Sequence, residues 1–322
     1  MALLLREHHV TELLDMETAI KAVEDALRHQ AEGKATVRPR HRVATPVSQL
    51  HVMSAGDREL GVFGLKTYTV SRKGARFLVL LYEAATGDLL AMIEADRLGQ
   101  MRTGAASGVA TKYMSRESSD TVGVFGTGWQ AESQLKAVCA VRRIRSIKAY
   151  GRDPERREAF SRRMSSMLRV EVTPASTPEE AARGRAIIIT ATSARAPVFD
   201  GSLVEPGAHI NAVGSNFLSK SEIDVETVRR ADVIAVDSLE QSRMEAGDLL
   251  PAIERGVISW ESVEELGGIV AGRVRGRASE EDVTLFKSNG IALEDIAVAL
   301  PVYNRARERG VGEEVNLWGE GQ

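Results

Sequence analysis

An α/β fold is predicted by three features of this 322-residue sequence. From Asp120 onward, short apolar strands alternate with helical segments. The first of those strands runs through a glycine loop straight into a helix. The part before Asp120 is instead rich in β-branched and aromatic segments separated by turn signals. Alternation of the first kind implies parallel strands joined by crossovers, and the N-terminal part reads as a separate α+β unit. The length suits two domains at roughly 150 residues each.

The start, MALLLREHHV, follows three leucines with Arg6 and Glu7 and is too short and too charged for a signal peptide. From Asp15, the residues Met16, Ile20, Val23 and Leu27 recur at helical spacing, with Glu17, Lys21, Glu24 and Arg28 between them. That pattern predicts an amphipathic helix capped by Asp15 and stopped near Gly33. TVRPRHRVATPV, QLHVM, GVFGLKTYTV and RFLVLLYEA then read as strands, and turn signals at Gly56-Asp57, Lys73-Gly74 and Thr86-Gly87-Asp88 predict an antiparallel sheet. A helix is predicted from Asp96. Its run Thr103-Gly-Ala-Ala-Ser-Gly108 is rich in small residues, which suit either tight helix packing or the close approach of a ligand. Past Asp120, TVGVF, SIKAY, VEV, RAIIIT, HINAV and DVIAV read as buried strands. After VTLFKSNG a last helix runs through IALEDIAVALPVYNRARER, and its apolar face is expected to pack back on the first domain.

Composition narrows the function classes. A hydrophobic content of 43% with 27% charged residues is ordinary for a globular protein. The net charge of −3 provides no basic field for nucleic acid or an anionic membrane. No apolar run approaches the roughly 20 residues that a membrane span needs. The single cysteine, Cys139, excludes an internal disulfide and suits a reducing cytoplasm, the expected location. It lies in LKAVCAV, the expected buried face of a helix. The six histidines show no ligand spacing, so no protein-built metal site is expected.

The chemistry is carried first by TVGVFGTGWQAE, a strand, then Gly126-Thr127-Gly128-Trp-Gln130-Ala131, then a helix. Gly126 would make the tight turn and Gly128 would admit a pyrophosphate close to the backbone. Ala131 replaces a third glycine where helix packs on strand, and the helix N-terminus would face the phosphates. An acid that holds the ribose of NAD is expected at the end of the second strand. Here SIKAY runs into Gly151-Arg152-Asp153-Pro154, so a glycine stands at that place and an arginine follows. Arg152 suits a 2′-phosphate and favours NADP(H), with NAD(H) possible; Asp153 reads as a helix cap.

Five stretches together resemble the ornithine cyclodeaminase/mu-crystallin family: Gly64-Leu-Lys66, Gln100-Met-Arg102-Thr103-Gly-Ala-Ala, the glycine loop, His209-Ile-Asn-Ala-Val-Gly214, and Phe286-Lys-Ser288-Asn-Gly290 through Asp295. The resemblance covers nearly the whole chain and implies a homodimer. It implies a substrate-binding and dimerisation domain from residues 1–117 and 299–322, and a Rossmann domain from residues 118–298. It also implies hydride exchange at the α-carbon of an amino or imino acid. By the same resemblance Arg102 grips the substrate carboxylate, aided by Arg40 or Arg42, which share one face of a strand. Lys66 stands near the reacting carbon, where burial beside arginines would lower its pKa and suit it to move a proton. Thr103 would lie near the cofactor phosphates, and Thr192 and Ser288 near the nicotinamide half.

One position departs from the pattern. Ornithine cyclodeaminase and the archaeal alanine dehydrogenases carry an aspartate where this chain has Asn216. Asparagine bonds but does not titrate, so no general base is available there. That favours an NAD(P)H-dependent oxidoreductase that reduces the C=N bond of a 2-imino acid, with pyrroline- or piperideine-2-carboxylate, or pyruvate with an amine, as expected substrates. Ornithine cyclodeaminase, a lyase that recycles NAD, and alanine dehydrogenase are the alternatives.

Overall fold

Asp15 accepts a hydrogen bond from the Thr18 amide at 2.7 Å and so starts the helix Met16–Ala31. The helix stops where Gly33 takes a φ of +72°, as the sequence predicts. The computed structural model describes residues 1–317, so the last five residues of the expected segment 299–322 lie outside the described residues. In chain order the strands are β1 (Ala2–Leu5), β2 (Ala35–Ala44), β3 (Ser48–Asp57), β4 (Val62–Ser71), β5 (Gly74–Glu83) and β6 (Leu89–Glu94). After these come β7 (Thr121–Phe125), β8 (Ser146–Tyr150), β9 (Glu171–Pro174), β10 (Ile187–Thr190), β11 (His209–Ala212), β12 (Val233–Val236), β13 (Val263–Glu265), β14 (Thr284–Lys287) and β15 (Glu313–Val315).

Two compact units divide the chain. One runs from Met1 to Arg102 and resumes at Ile291; the other is Thr103–Gly290. The first limit thus falls inside the small-residue helix Asp96–Met114, and the second ahead of the last helix, not at residues 117/118 and 298/299. Packing explains both. Thr103 and Gly104 bond and pack against helix Trp129–Val141, whereas Glu294 and Asp295 belong with Arg102 and Lys66.

In the first unit the strands lie in the order β15-β1-β6-β5-β4-β3-β2. From β2 to β6 every neighbouring pair is antiparallel, but β1 joins β6 in parallel. The sheet is therefore mixed, not purely antiparallel. The leucines of the N-terminus are its buried β1 strand. Alternation puts His51, Met53 and Ala55 of β3, and Gly64, Lys66 and Tyr68 of β4, on the buried face. Helix Ala292–Arg309 packs against β3, β4 and helix Met16–Ala31. Gly64 makes that close fit possible, since a Cβ there would lie 2.3 Å from the Leu80 carbonyl oxygen and 3.0 Å from Ile296. The expected return of the last helix to the first domain is found.

In the second unit β13-β12-β14-β11-β10-β7-β8-β9 form one sheet whose neighbouring pairs are all parallel. Its faces carry separate cores. Val122, Val124, Ile187 and Ile189 pack with Leu135 and Phe160 on one side, while Phe125, Ile188, Ile210 and Val236 pack with Ala181 and Val228 on the other. Helices on both faces of a parallel sheet make the doubly wound Rossmann arrangement. The chain leaves β7 toward β8 and β9, then returns to β10 on the opposite side of β7. The carboxyl ends of β7 and β10 therefore flank the switch point, where such folds bind ligands.

The small residues after Arg102 serve packing. A Cβ at Gly104 would lie 2.5 Å from the Ser133 carbonyl oxygen, and Gln134 donates to the Thr103 carbonyl at 3.1 Å. Gly104→Ala is expected to lower stability by about 1–3 kcal/mol. Urea unfolding should show this as a lower midpoint at unchanged slope, and an unchanged midpoint would show that the helices part without cost.

Candidate active site

Strand β4 is the starting point in the first unit. Lys66 pairs across the sheet with Met53 and turns into the buried face, where only 3% of it is exposed. Its ammonium donates to Asp295 Oδ1 at 2.8 Å. Arg102 Nε donates to the same oxygen at 3.1 Å, and its Nη1 donates to Glu294 Oε2 at 2.8 Å. Glu294 and Asp295 sit in the first turn of helix Ala292–Arg309, where the helix dipole favours negative charge. Two cations and two carboxylates thus form one buried cluster, as buried charge requires.

Burial above all, helped by the positive charges of Arg102 and Arg40, pushes the Lys66 ammonium down to about 8, against the pull of Asp295. A lysine in that range exchanges its proton near neutrality. Gly99 makes room for it, since a Cβ there would lie 2.9 Å from Nζ. The Phe77 ring lies 5.4 Å from the same nitrogen.

The two strand arginines reach this face by an irregularity that simple alternation does not foresee. The β2–β3 register shifts between Arg38 and His41, so Pro39 and Arg40 together stand opposite Met53. This is a bulge on an edge strand, where a proline that lacks an N–H is tolerated. Arg40 is 3% exposed, while Arg42, half-buried, pairs with His51. Both act on His51, and Arg40 also acts on Lys66.

The second unit builds its site at the carboxyl ends of its strands. Gly126 ends β7 with a φ of +106°, and a Cβ there would lie 2.3 Å from the Ala191 carbonyl oxygen and 3.3 Å from Thr192. Gly128 is different: nothing lies within 4 Å of a Cβ built on it. It is the N-cap of helix Trp129–Val141 and gives no side-chain hydrogen bond, so the helix N-terminus is open to an anion. Gln130 Oε1 is buried without a hydrogen-bond partner among the described residues. The room above Gly128 and the uncapped helix end fit a pyrophosphate. Gly151 has its own cause, because a Cβ there would lie 2.9 Å from Thr127 Oγ1. Arg152 beside it is exposed.

Buried acids tie down the remaining strand ends. Glu222 accepts from the Thr192 and Gly214 amides, both at 2.6 Å, and from the Thr190 hydroxyl at 2.9 Å. Burial and the nearby charge of Asp248 push its carboxyl up, while Lys287 and these donors pull it down. Asp248 in turn meets Lys287 at 2.9 Å, and Lys287 donates to the Ser215 carbonyl at 2.6 Å. The segment that carries the half-buried Asn216 is therefore held on both sides. Ser288 donates to Asp237 at 3.0 Å, and the same carboxylate accepts from the Asn289 and Gly290 amides. Its hydroxyl hydrogen is thus taken up in fastening β14 to β12, a structural use that the sequence reading did not assign. Thr103 lies at 8% exposure beside helix Trp129–Val141.

Of the residues singled out in the sequence, the structure brings Lys66 and Arg102 onto Asp295 with Arg40 acting on Lys66, and it brings Gly126 against Ala191 and Thr192. Sequence reasoning missed Asp295, Glu294, Gly99, Glu222 and Asp237. A signal existed for the first two: adjacent acids inside the apolar run IALEDIAVAL, where a buried acid needs a cation. Among the described residues no group of histidine, cysteine and acidic side chains could hold a metal. No helix of the described residues is long and apolar enough to cross a membrane.

Residues 1–310 match the ornithine cyclodeaminase/mu-crystallin family. An alanine dehydrogenase of Archaeoglobus fulgidus is 36% identical over 98% of either chain. A Δ1-pyrroline-2-carboxylate reductase of Bacillus cereus is 38% identical over 83% of this chain and 84% of its own. Among solved structures, the Δ1-pyrroline-2-carboxylate reductase of Thermococcus litoralis in complex with NADH and L-proline aligns with a TM-score of 0.92. Its identity is 35%, over 97% of this chain and all of that one (100%). The parallel sheet with its glycine loop, the buried lysine–arginine cluster and these likenesses lead to one conclusion: the chain belongs to the ornithine cyclodeaminase/mu-crystallin family.

Proposed function

We propose that the protein reduces the C=N bond of a 2-imino acid, with NADPH preferred to NADH. The chain is an oxidoreductase of its family, and the finer reading rests on one observation above the others. Lys66, a buried lysine with its pKa near 8, is held beside Arg102 on a face that also receives Arg40. Arg102, with Arg40 or Arg42, would bind the carboxylate of the substrate, since a guanidinium fork matches it in shape and charge. Lys66 would hold a proton for the imine nitrogen and take it back in the reverse direction. Asp295 keeps the ammonium oriented.

Gly126, Thr127, Gly128 and the open helix end would hold the pyrophosphate of the cofactor, with Gln130, Thr192 and Thr103 close by. A bound nicotinamide supplies the hydride for the α-carbon. Asn216 would bond without taking a proton, which suits a substrate that arrives as an imine and has no ammonia to lose. Arg152 supports the 2′-phosphate reading, because it stands exposed just past the end of β8 and no carboxylate bonds to it among the described residues.

The direct test is turnover of Δ1-pyrroline-2-carboxylate, Δ1-piperideine-2-carboxylate and pyruvate with methylamine, each with NADPH and NADH, and with ornithine as the lyase control. Turnover of none of the imines, or ammonia release from ornithine without net cofactor change, overturns the proposal. With Lys66 as the acid, reductive kcat/KM should be level below pH 8 and fall above it as the ammonium is lost. Amino-acid oxidation, which needs the free amine, should instead rise through the same pH. Lys66→Met should cost about 10²–10⁴ in kcat in both directions. Arg152→Ala should raise KM for NADPH about tenfold or more and leave KM for NADH in place, as expected when a charge-assisted contact is lost; equal effects on both would remove the arginine from cofactor choice.

A further inference from the structure

His51 is a polar side chain that the proposed chemistry does not use. It lies on β3 in the same buried face as Met53 and is 1% exposed. Neither ring nitrogen has a hydrogen-bond partner among the described residues. Leaving such groups desolvated and unpaired costs about 1–3 kcal/mol each, so a core position would ordinarily be filled by an apolar residue. The ring is held in place: Tyr68, its cross-strand partner on β4, stacks on it with centroids 4.2 Å apart and planes 10° apart.

Its neighbours define what the ring can read. On β2 its partner is Arg42. Arg40 stands two positions along, opposite Met53, which itself pairs with Lys66. Burial and the charges of Arg42 and Arg40 push the imidazole down to about 4, so it is neutral at ordinary pH, with one N–H to donate. A neutral donor in the positive field of two arginines favours an anionic acceptor. His51 lies two residue pairs beyond the Met53–Lys66 pair, on the same face and about 7 Å along the sheet. The ring is thus set apart from Lys66 along the same face, where a contact would fall on a substrate's side chain and not on its reacting carbon.

We propose that His51 is a specificity-determining residue that donates a hydrogen bond to a second, side-chain carboxylate, so that the preferred substrate is a dicarboxylic 2-imino acid. The inference rests on the imine-reductase reading for the reaction, but not for the binding contact. Two experiments keep them apart. In the first, non-reactive dicarboxylates (succinate, glutarate) and monocarboxylates (propionate, butyrate) are titrated calorimetrically into the full-length protein, wild type and His51→Leu. The dicarboxylates should bind about tenfold or more tightly to wild type, and His51→Leu should abolish that preference while monocarboxylate binding stays the same. His51→Gln, which retains an N–H donor, should restore part of it.

The second experiment measures kcat/KM with methylamine for oxaloacetate and 2-oxoglutarate against pyruvate and 2-oxobutyrate. Wild type should favour the diacids, and His51→Leu should remove the preference through KM with little change in kcat. Equal binding of mono- and dicarboxylates by wild type, or an equal loss for all ligands in His51→Leu, overturns the inference and leaves His51 a packing residue under Tyr68. Dicarboxylate-selective binding without turnover of any imine upholds His51 as the selective contact and overturns the reductase reading instead.

Discussion

A single carboxylate oxygen, Asp295 Oδ1, accepts from both Lys66 and Arg102, and the chemistry of the first unit depends on that shared bond. Two like charges this close in a buried site repel, and only an acid between them makes the arrangement affordable. The acid also sets the balance. Asp295 favours the charged lysine, while burial and the arginines favour loss of its proton. The opposing influences leave it near 8, where it can both give and take a proton. Helix Ala292–Arg309 is thus more than a closing element, since its first turn carries the counter-charge that makes the site usable.

The second unit meets the same problem with opposite sign. Glu222, Asp248 and Asp237 are buried acids, and each is answered by backbone amides, hydroxyls or Lys287. Parallel strands end in loops with unpaired amides, and a carboxylate that accepts several of them locks neighbouring loops together. Glu222 bonds the ends of β10 and β11, and Asp237 bonds the ends of β12 and β14. The strand ends that would surround a cofactor are therefore fastened to one another by the protein's own side chains.

Much of this could be read from the sequence because it is local. The glycine loop, the Asp15 cap and the alternating strands all obey rules that span a few residues. What escaped was non-local or irregular. Lys66 and Asp295 are 229 positions apart, and no spacing rule joins them. The leucines of β1 alone cannot reveal that they pair with β6, because a four-residue apolar run carries no period of its own. The bulge at Pro39-Arg40 was not legible either, for a single extra residue decides whether the even- or the odd-numbered side chains of β2 face the core. Gly151 was read as standing where an acid would hold a ribose, but the space filled by Thr127 was not visible.

That last contact couples two positions that lie 24 residues apart. A side chain at 151 would start 2.9 Å from Thr127 Oγ1 and 3.0 Å from its Cγ2, so an acid placed there to read an NAD ribose would have to displace the threonine side chain. The threonine must shrink or turn first, and it belongs to the loop that would hold the pyrophosphate. A change at position 151 is therefore coupled to the conformation of the loop that carries Thr127.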